Sequence, residues 1–370
     1  MIEKGKISAF QMGVMMYPGI LATAVLTVPS ITATYAKQDL WIAPIWACPI
    51  GLLIVLVFLQ LHKHFPGKNI IQYSENIFGR LIGKTLGIYY LFFFLHNSGF
   101  VIREYAEFII TSVLPKTPII LVIVGMTLVS AFAVKGGVEV IARSALVFLP
   151  LFMFPLLLMG LMVLPDMEPR NMLPVMGNGI IPSLKGAFFP IEWFGDFIYM
   201  SFLLPFLKDE KGGKWGMISV MAITLTMVIT NLTTIFVFGG STTELLYPVM
   251  NVFRYISLAD FFEHVESIVI AVWITGMFVK FSLIYYALVL GVAQWLDVSD
   301  YKSFVLPIGF LQVIFSIWVA PNFQQMGQFF TTAGSFYFPF IQIILPLFLL
   351  LVALIKKKYK DKSPKSSIVH

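Results

Sequence analysis

The sequence predicts an all-α integral membrane protein with ten transmembrane helices, and three observations predict it. Of 370 residues, 58% are hydrophobic, 15% aromatic and only 12% charged, about half the ~25% charge of ordinary soluble domains. Too few polar side chains remain to coat a soluble globule of this size. The apolar residues gather into ten runs near the ~20 residues that a bilayer crossing needs, and Lys and Arg collect in alternate connections between them. Barrel strands would be about half as long and would alternate in polarity, so helices must satisfy the backbone in lipid.

The spans fall at 8–35, 41–61, 85–114, 117–134, 142–164, 182–207, 215–238, 265–292, 303–320 and 336–355. Lys4 and Lys6 before the first, with Ala33-Thr34-Tyr35-Ala36 after it, imitate a signal peptide. The apolar stretch is too long for one and contains Pro18 and Pro29, so it is expected as a retained helix. Three connectors read as amphipathic. Residues 69–84 space Ile70, Ile71, Ile77, Phe78, Leu81 and Ile82 around a polar face, as in a helix lying in the cytoplasmic interface; residues 168–186 and 243–263 do likewise on the outer side. Residues 357–370 form a basic cytoplasmic tail attracted to anionic membrane lipid.

Ten spans place both termini on one side. Loops on that side hold eighteen Lys and Arg, among them Lys4, Lys6, Lys63, Lys68, Arg80, Lys84 and the six lysines from Lys356 to Lys365. The opposite loops hold six: Lys37, Arg103, Lys116, Arg170, Lys185 and Arg254. This asymmetry predicts cytoplasmic termini, and it explains the net charge of +6 without a nucleic-acid partner.

Enzyme chemistry has little raw material. Cys48 is the single cysteine and lies in an apolar run, and the five histidines show no metal-ligand spacing beyond the loop pair His62 and His64. Gly79-Arg-Leu-Ile-Gly-Lys-Thr85 has three residues between its glycines where a phosphate loop needs four. No catalytic residues, cofactor or metal are expected.

Charge inside lipid costs about 2.5 to 3.5 kcal/mol or more, so each such group is a functional candidate. Glu139 with Arg143 and Arg103 with Glu107 sit near span ends at i,i+4 spacing, which suits structural pairs. Glu192, Asp196 and Lys280 lie deeper. Lys280, midway along its span, must point into the bundle; it can be neutral, pair with a carboxylate, or stand where a metal cation would bind. Glu192 and Asp196 lie in Phe188-Phe-Pro-Ile-Glu-Trp-Phe-Gly-Asp196, where Pro190 and Gly195 predict a broken helix. Tyr17-Pro18-Gly19 to Thr23, then Pro29, is a matching irregularity in the first span. Two interrupted helices, each opening a half of five spans, point to an inverted-repeat transporter fold with a midplane site. A plain proline kink in each is the alternative.

Several strings carry a resemblance. Phe10-Gln11 with Gly19-Ile-Leu-Ala-Thr-Ala-Val-Leu-Thr-Val-Pro29 resembles the first helix of the amino acid/polyamine/organocation (APC) transporters. Arg103-Glu-Tyr-Ala-Glu-Phe108, Leu114-Pro-Lys-Thr-Pro118, Gly136-Gly-Val-Glu-Val-Ile-Ala-Arg143, Asn171-Met-Leu-Pro-Val-Met-Gly-Asn-Gly179 and Tyr247-Pro-Val-Met-Asn-Val-Phe-Arg254 together resemble the B subunit of spore germination receptors, the GerAB type. The resemblance implies a LeuT-like 5+5 inverted repeat, residues 1–165 and 166–356, with broken first and sixth helices. It also implies residence in the spore inner membrane, A and C partner subunits, and binding of a small nutrient germinant. Carried over by position, the pocket takes Gly19, Ile20, Leu21, Ala22 and Thr23 from the first helix and Phe93 and Asn97 from the third. The sixth would give Phe189, Glu192, Trp193, Phe194, Gly195 and Asp196, and the eighth Thr275, Gly276 and Lys280.

Two departures bear on the ligand. The APC first helix usually presents glycines around a small residue so that bare amides reach a carboxylate. Ala22-Thr23-Ala24 puts methyl groups there, which argues against an α-amino acid and leaves room for a neutral sugar or nucleoside. His264 stands where relatives are expected to carry arginine. The expected mechanism is a ligand-gated switch in which Lys280 substitutes for a cation. A proton-coupled APC-type amino acid transporter, with Glu192 or Lys280 carrying the proton, is the alternative.

Overall fold

The computed structural model describes residues 3–255 and 265–362; among them the regular structure is all helical apart from one isolated parallel bridge, Ile7 to Leu207. The helices are α1 (Ala9–Ala36), α2 (Ala43–His64), α3 (Ile70–Phe78), α4 (Arg80–Ser112), α5 (Ile119–Gly136), α6 (Val138–Met162), α7 (Ile181–Gly195), α8 (Met200–Leu203), α9 (Gly212–Phe238), α10 (Pro248–Tyr255), α11 (Val265–Trp295), α12 (Val305–Trp318), α13 (Phe323–Phe329), α14 (Ser335–Pro339) and α15 (Leu345–Lys362). Among the described residues, nine helical stretches are long and apolar enough to cross a membrane. The ninth expected span is shorter, Lys302–Trp318.

The first span is the centre of the bundle. Ser8 caps α1 in a capping box with Gln11, and the helix is buried along most of its length against α9, α7, α11 and α6. Its expected interruption at Gly19 to Thr23 is corrected: α1 runs as one helix from Ala9 to Ala36 with Pro18 and Pro29 inside it. The prolines leave the carbonyls of Val14 and Val25 without helical donors, but the helix continues past both, packed by its neighbours. Neighbours also bond directly to its backbone: Trp273 Nε1 donates to the Ala22 carbonyl at 2.6 Å, and Ser219 Oγ to that of Gly13 at 2.9 Å.

The sixth span does break. Pro190 is carried inside α7, and the α-helix gives way just after Gly195 to a 3₁₀ turn over Asp196–Tyr199, then α8, then a second 3₁₀ turn over Leu204–Phe206. The last span is irregular too, with π-helical turns at Phe330–Gly334 and Phe340–Ile344. Such wide turns are frequent at functional sites.

Connections gather at two ends. At one, Glu3 accepts a hydrogen bond from the Tyr301 hydroxyl at 2.9 Å, Glu139 accepts from the Lys6 amide at 2.8 Å, and Ile7 exchanges backbone bonds with Phe206 and Lys208. Asp209 accepts from the amides of Ala9 and Lys211, which hold its carboxyl below the usual carboxylate range. Lys84 does the same for Asp297 at 2.7 Å. At the opposite end Asp39 accepts from the Met176 amide and Asn231 donates to the Leu40 carbonyl.

The connectors differ from expectation. The amphipathic helix at 69–84 stops at Phe78, because Gly79 turns the chain at φ +81°, and Arg80 to Lys84 begin the third span. Residues 168–186 form no connector helix: prolines and glycines break the run into a 3₁₀ turn at Pro169–Met172 and an irregular stretch, and from Ile181 it is already α7. In 243–263 a 3₁₀ turn ends at Glu244 and α10 follows; residues 256–263, His264 and the tail from 363 lie outside the described residues.

Gly83 lets α4 fold back on α3. A Cβ there would lie 2.2 Å from the Glu75 Cα. Gly83→Ala is therefore expected to cost about 1 to 3 kcal/mol through overpacking, read as a lower melting temperature in detergent. Gly125→Ala, in the interior of α5 with nothing within 4 Å, should leave it unchanged or raise it slightly, alanine being the better helix former.

Candidate functional site

Where the sixth span breaks, its side chains turn toward α4, α11 and the π-helical turns of the last span. The interaction at the centre is an ion pair: Lys280 Nζ of α11 lies 2.8 Å from Asp196 Oδ2, both groups being almost wholly buried. The other carboxylate oxygen accepts from Gln342 Nε2 at 2.9 Å and, more weakly, from Asn97 Nδ2 at 3.4 Å. Asn97 also donates to the Tyr199 hydroxyl at 2.8 Å. Four elements thus meet on one carboxylate. Gly195 makes room, since a Cβ there would sit 2.1 Å from Gln342 Oε1.

Beside this cluster is a small cavity. Thr23, Asn97, Glu192, Trp193, Asp196 and Lys280 line it, and so do Phe100, Val101 and Glu104 of α4 and Phe330, Phe338 and Gln342 of the last span. About 30 Å³ is open to the centre of a water molecule, room for one or two waters. A second cavity, about 260 Å³ by the same measure, lies toward the end opposite the termini and is lined by Thr27, Ser30, Ile31, Leu246, Met326 and Thr331 among others. The two share Glu104, Trp193 and Phe330 as walls. Trp193 and Phe330 stack at 6.4 Å and 21°, and Trp193 Nε1 donates to Thr23 Oγ1 at 2.8 Å. These two rings divide the outer chamber from the inner one.

Of the residues expected at the pocket, Thr23, Asn97, Glu192, Trp193, Asp196 and Lys280 come together around the inner cavity. Gly19, Ile20, Leu21 and Ala22 are packed inside the continuous α1 and do not line it. Phe93 stands one layer behind, against Tyr337 and Phe338. Phe189 faces Tyr35, Phe194 presses on Gly51 of α2, and Gly195 abuts Gln342. Thr275 and Gly276 are directed elsewhere, Thr275 to a groove with Tyr105 and Phe148, and Gly276 against Phe152 of α6.

Sequence reasoning passed over Glu104, Gln342 and the phenylalanines Phe100, Phe330 and Phe338. Glu104 is 5% exposed and accepts from Thr27 Oγ1 at 3.3 Å. It lies on the helical stripe Asn97, Val101, Glu104, so Asn97 pointed to it. Its neighbours Arg103 and Glu107 pair with each other at 2.6 Å, as Glu139 and Arg143 do at 3.1 Å.

Residues 6–324 match the family described as spore germination protein. The chain is 29% identical to spore germination protein KB of Bacillus subtilis (strain 168) over 98% of each chain. It is 26% identical to spore germination protein YndE of the same organism, covering 95% of this chain and 98% of that one. Among solved structures it resembles a nucleobase-cation-symport-1 family transporter in a closed conformation with bromovinylhydantoin bound, with TM-score 0.67, 14% identity, and coverage of 94% and 78%. It also resembles a substrate-bound, outward-open Na⁺-coupled sialic acid symporter, with TM-score 0.63, 12% identity, and coverage of 88% and 77%. The fold is that of the LeuT-like transporters.

Removing one partner of a buried ion pair strands the other charge and typically costs about 3 to 5 kcal/mol. Lys280→Met and Asp196→Asn are each expected to lower the melting temperature strongly. The double variant should recover part of the loss, giving a non-zero coupling in a double-mutant cycle.

Proposed function

From the premise that this integral membrane chain belongs to the spore germination protein family, we propose that it is the nutrient-binding B-type subunit of an endospore germination receptor. In this reading it sits in the spore inner membrane with its termini on the core side, its halves 1–165 and 166–356 act as the two repeats, and A and C subunits are its partners. The observation that carries the reading is a small cavity with convergent polar groups at the break of the sixth span, divided from a larger outer chamber by two aromatic rings. Concave, mostly apolar sites with a few convergent polar groups are how small ligands are held.

A nutrient arriving in the outer chamber displaces the Trp193–Phe330 stack and reaches Thr23, Asn97 and Glu192. The inner space is too small to admit it while the rings are stacked. Binding therefore requires a state with Trp193 moved, and a ligand that contacts only that state shifts the population toward it. Trp193 lies three residues before Asp196, whose carboxylate ties α4, α11 and the last span together. Beyond the break, Phe206 and Lys208 hold the segment around Ile7. Movement at the rings is thereby coupled to the end of the bundle that carries the termini, where partner subunits would receive it.

Uptake separates sensing from transport. Proteoliposomes holding the purified chain are expected to bind nutrient saturably without accumulating it under a pH or Na⁺ gradient. Gradient-driven accumulation would establish the proton-coupled transporter instead. In spores, Trp193→Ala is expected to abolish or strongly shift the nutrient dose response while the protein level stays unchanged.

A further inference from the structure

A recess on the flank of the bundle, between α4, α5, α6 and α11, is larger than either chamber, about 550 Å³ by the same measure, and shares no lining residue with them. Its mouth is at Leu114 and Thr117, in the turn that joins α4 to α5 at the end opposite the termini. From there it follows Leu121, Gly125 and Val129, one face of α5 at i,i+4 spacing. Leu121 and Val129 are both more than half exposed, and nothing lies within 4 Å of a Cβ built on Gly125, so this face is open. Apart from the hydroxyls of Tyr105, Thr117 and Thr275, the lining is apolar. The floor is fixed by its packing. Tyr105 stacks on Trp273 at 6.0 Å and 24°, Trp273 is bonded to the Ala22 carbonyl, and Phe148 meets Phe278 edge to face at 5.7 Å.

We propose that this recess is a lipid site, holding one acyl chain of a phospholipid from the leaflet opposite the termini, with the anionic phosphate at Lys116. Water gains few hydrogen bonds on such a lining, and the walls belong to membrane spans, so hydrocarbon reaches them from the bilayer. Length and width select among apolar occupants. From Ile119 to Val129, α5 rises about 15 Å, half the ~30 Å hydrocarbon core and so the depth of one leaflet. A transmembrane helix 10–12 Å across would fill about 1,200 to 1,700 Å³ over that length, roughly two to three times the space present. One extended chain suits it. At the mouth Lys116 is exposed in the turn, next to Thr117, where an ammonium attracts the phosphate oxygens of a headgroup. A preformed floor distinguishes this recess from the rest of the lipid-facing surface, because binding there orders no protein side chains.

The test is native mass spectrometry and thermal stabilisation of the detergent-purified full chain, with dioleoylphosphatidylglycerol and dioleoylphosphatidylcholine as probes. The expected result is one retained phosphatidylglycerol per chain and a higher melting temperature when it is added. Gly125→Leu fills the recess and should weaken that binding about ten-fold or more, without lowering the melting temperature measured in the absence of lipid. Gly160→Leu adds the same side chain on α6, also where nothing lies within 4 Å, and should bind lipid as the native chain does. Lys116→Gln, in an exposed turn that needs no repacking, should lose the preference for phosphatidylglycerol over phosphatidylcholine. Equal binding by Gly125→Leu and the native chain, or no lipid retained by the native chain, would overturn the site. An unchanged preference in Lys116→Gln would overturn the place of the headgroup. A second copy of the chain, present in the native protein and lost in Gly125→Leu, would make the recess a contact between chains and not a lipid site.

Discussion

The bond between Lys280 and Asp196 is the constraint on which the rest of the structure depends. A helix interrupted inside a bilayer exposes backbone groups that lipid cannot satisfy, and such a break persists only where protein or a cavity surrounds it. Here the break is anchored at its first residue. Asp196 begins the 3₁₀ turn, and its carboxylate is gripped by an ammonium from α11 and amides from α4 and the last span. Neither charge could remain in this position alone.

Two chambers in series follow from that anchor. Fixing Asp196 fixes the turn of α7 before it, which aims Glu192 inward and lays Trp193 across the boundary against Phe330. Phe330 is placed by the first π-helical turn of the last span and Gln342 by the second. The irregularities of the sixth and last spans are thus two sides of one site. The continuous first span opposite them contributes hydroxyls: Thr23 accepts from the Trp193 indole and Thr27 donates to Glu104.

Much of this was legible in the sequence, for physical reasons that also mark where legibility stopped. Long apolar runs announce spans because lipid thickness imposes their length; the ninth fell short because Lys302–Trp318 is a compact apolar helix. Pro190, Gly195 and Asp196 together announced the sixth-span break, although the helix tolerates Pro190 and yields only after Gly195. Pro18 and Pro29 gave the same local signal in the first span without a break. What differs is tertiary: α1 is enclosed by four helices and bonded by Trp273 and Ser219, which no local pattern reveals. Lys280 was identifiable from depth alone, but its partner was not, because a separation of 84 positions between Asp196 and Lys280 leaves no spacing to read. Glu104 was obscured by Arg103 and Glu107 on either side, and Gln342 by the apolar run around it. Thr275, five residues from Lys280, is rotated toward α5, and Gly276, on the Lys280 face four residues away, is covered by Phe152 of α6.

Backbone hydrogen exchange over residues 196–206, compared between the native chain and Lys280→Met in the same detergent, addresses the anchor most directly. If the ion pair holds the interrupted sixth span, exchange in this segment should accelerate markedly while residues 9–36 of α1 stay protected. Equal exchange of 196–206 in both proteins would contradict the account, because the break would then be held without the bond assigned to hold it.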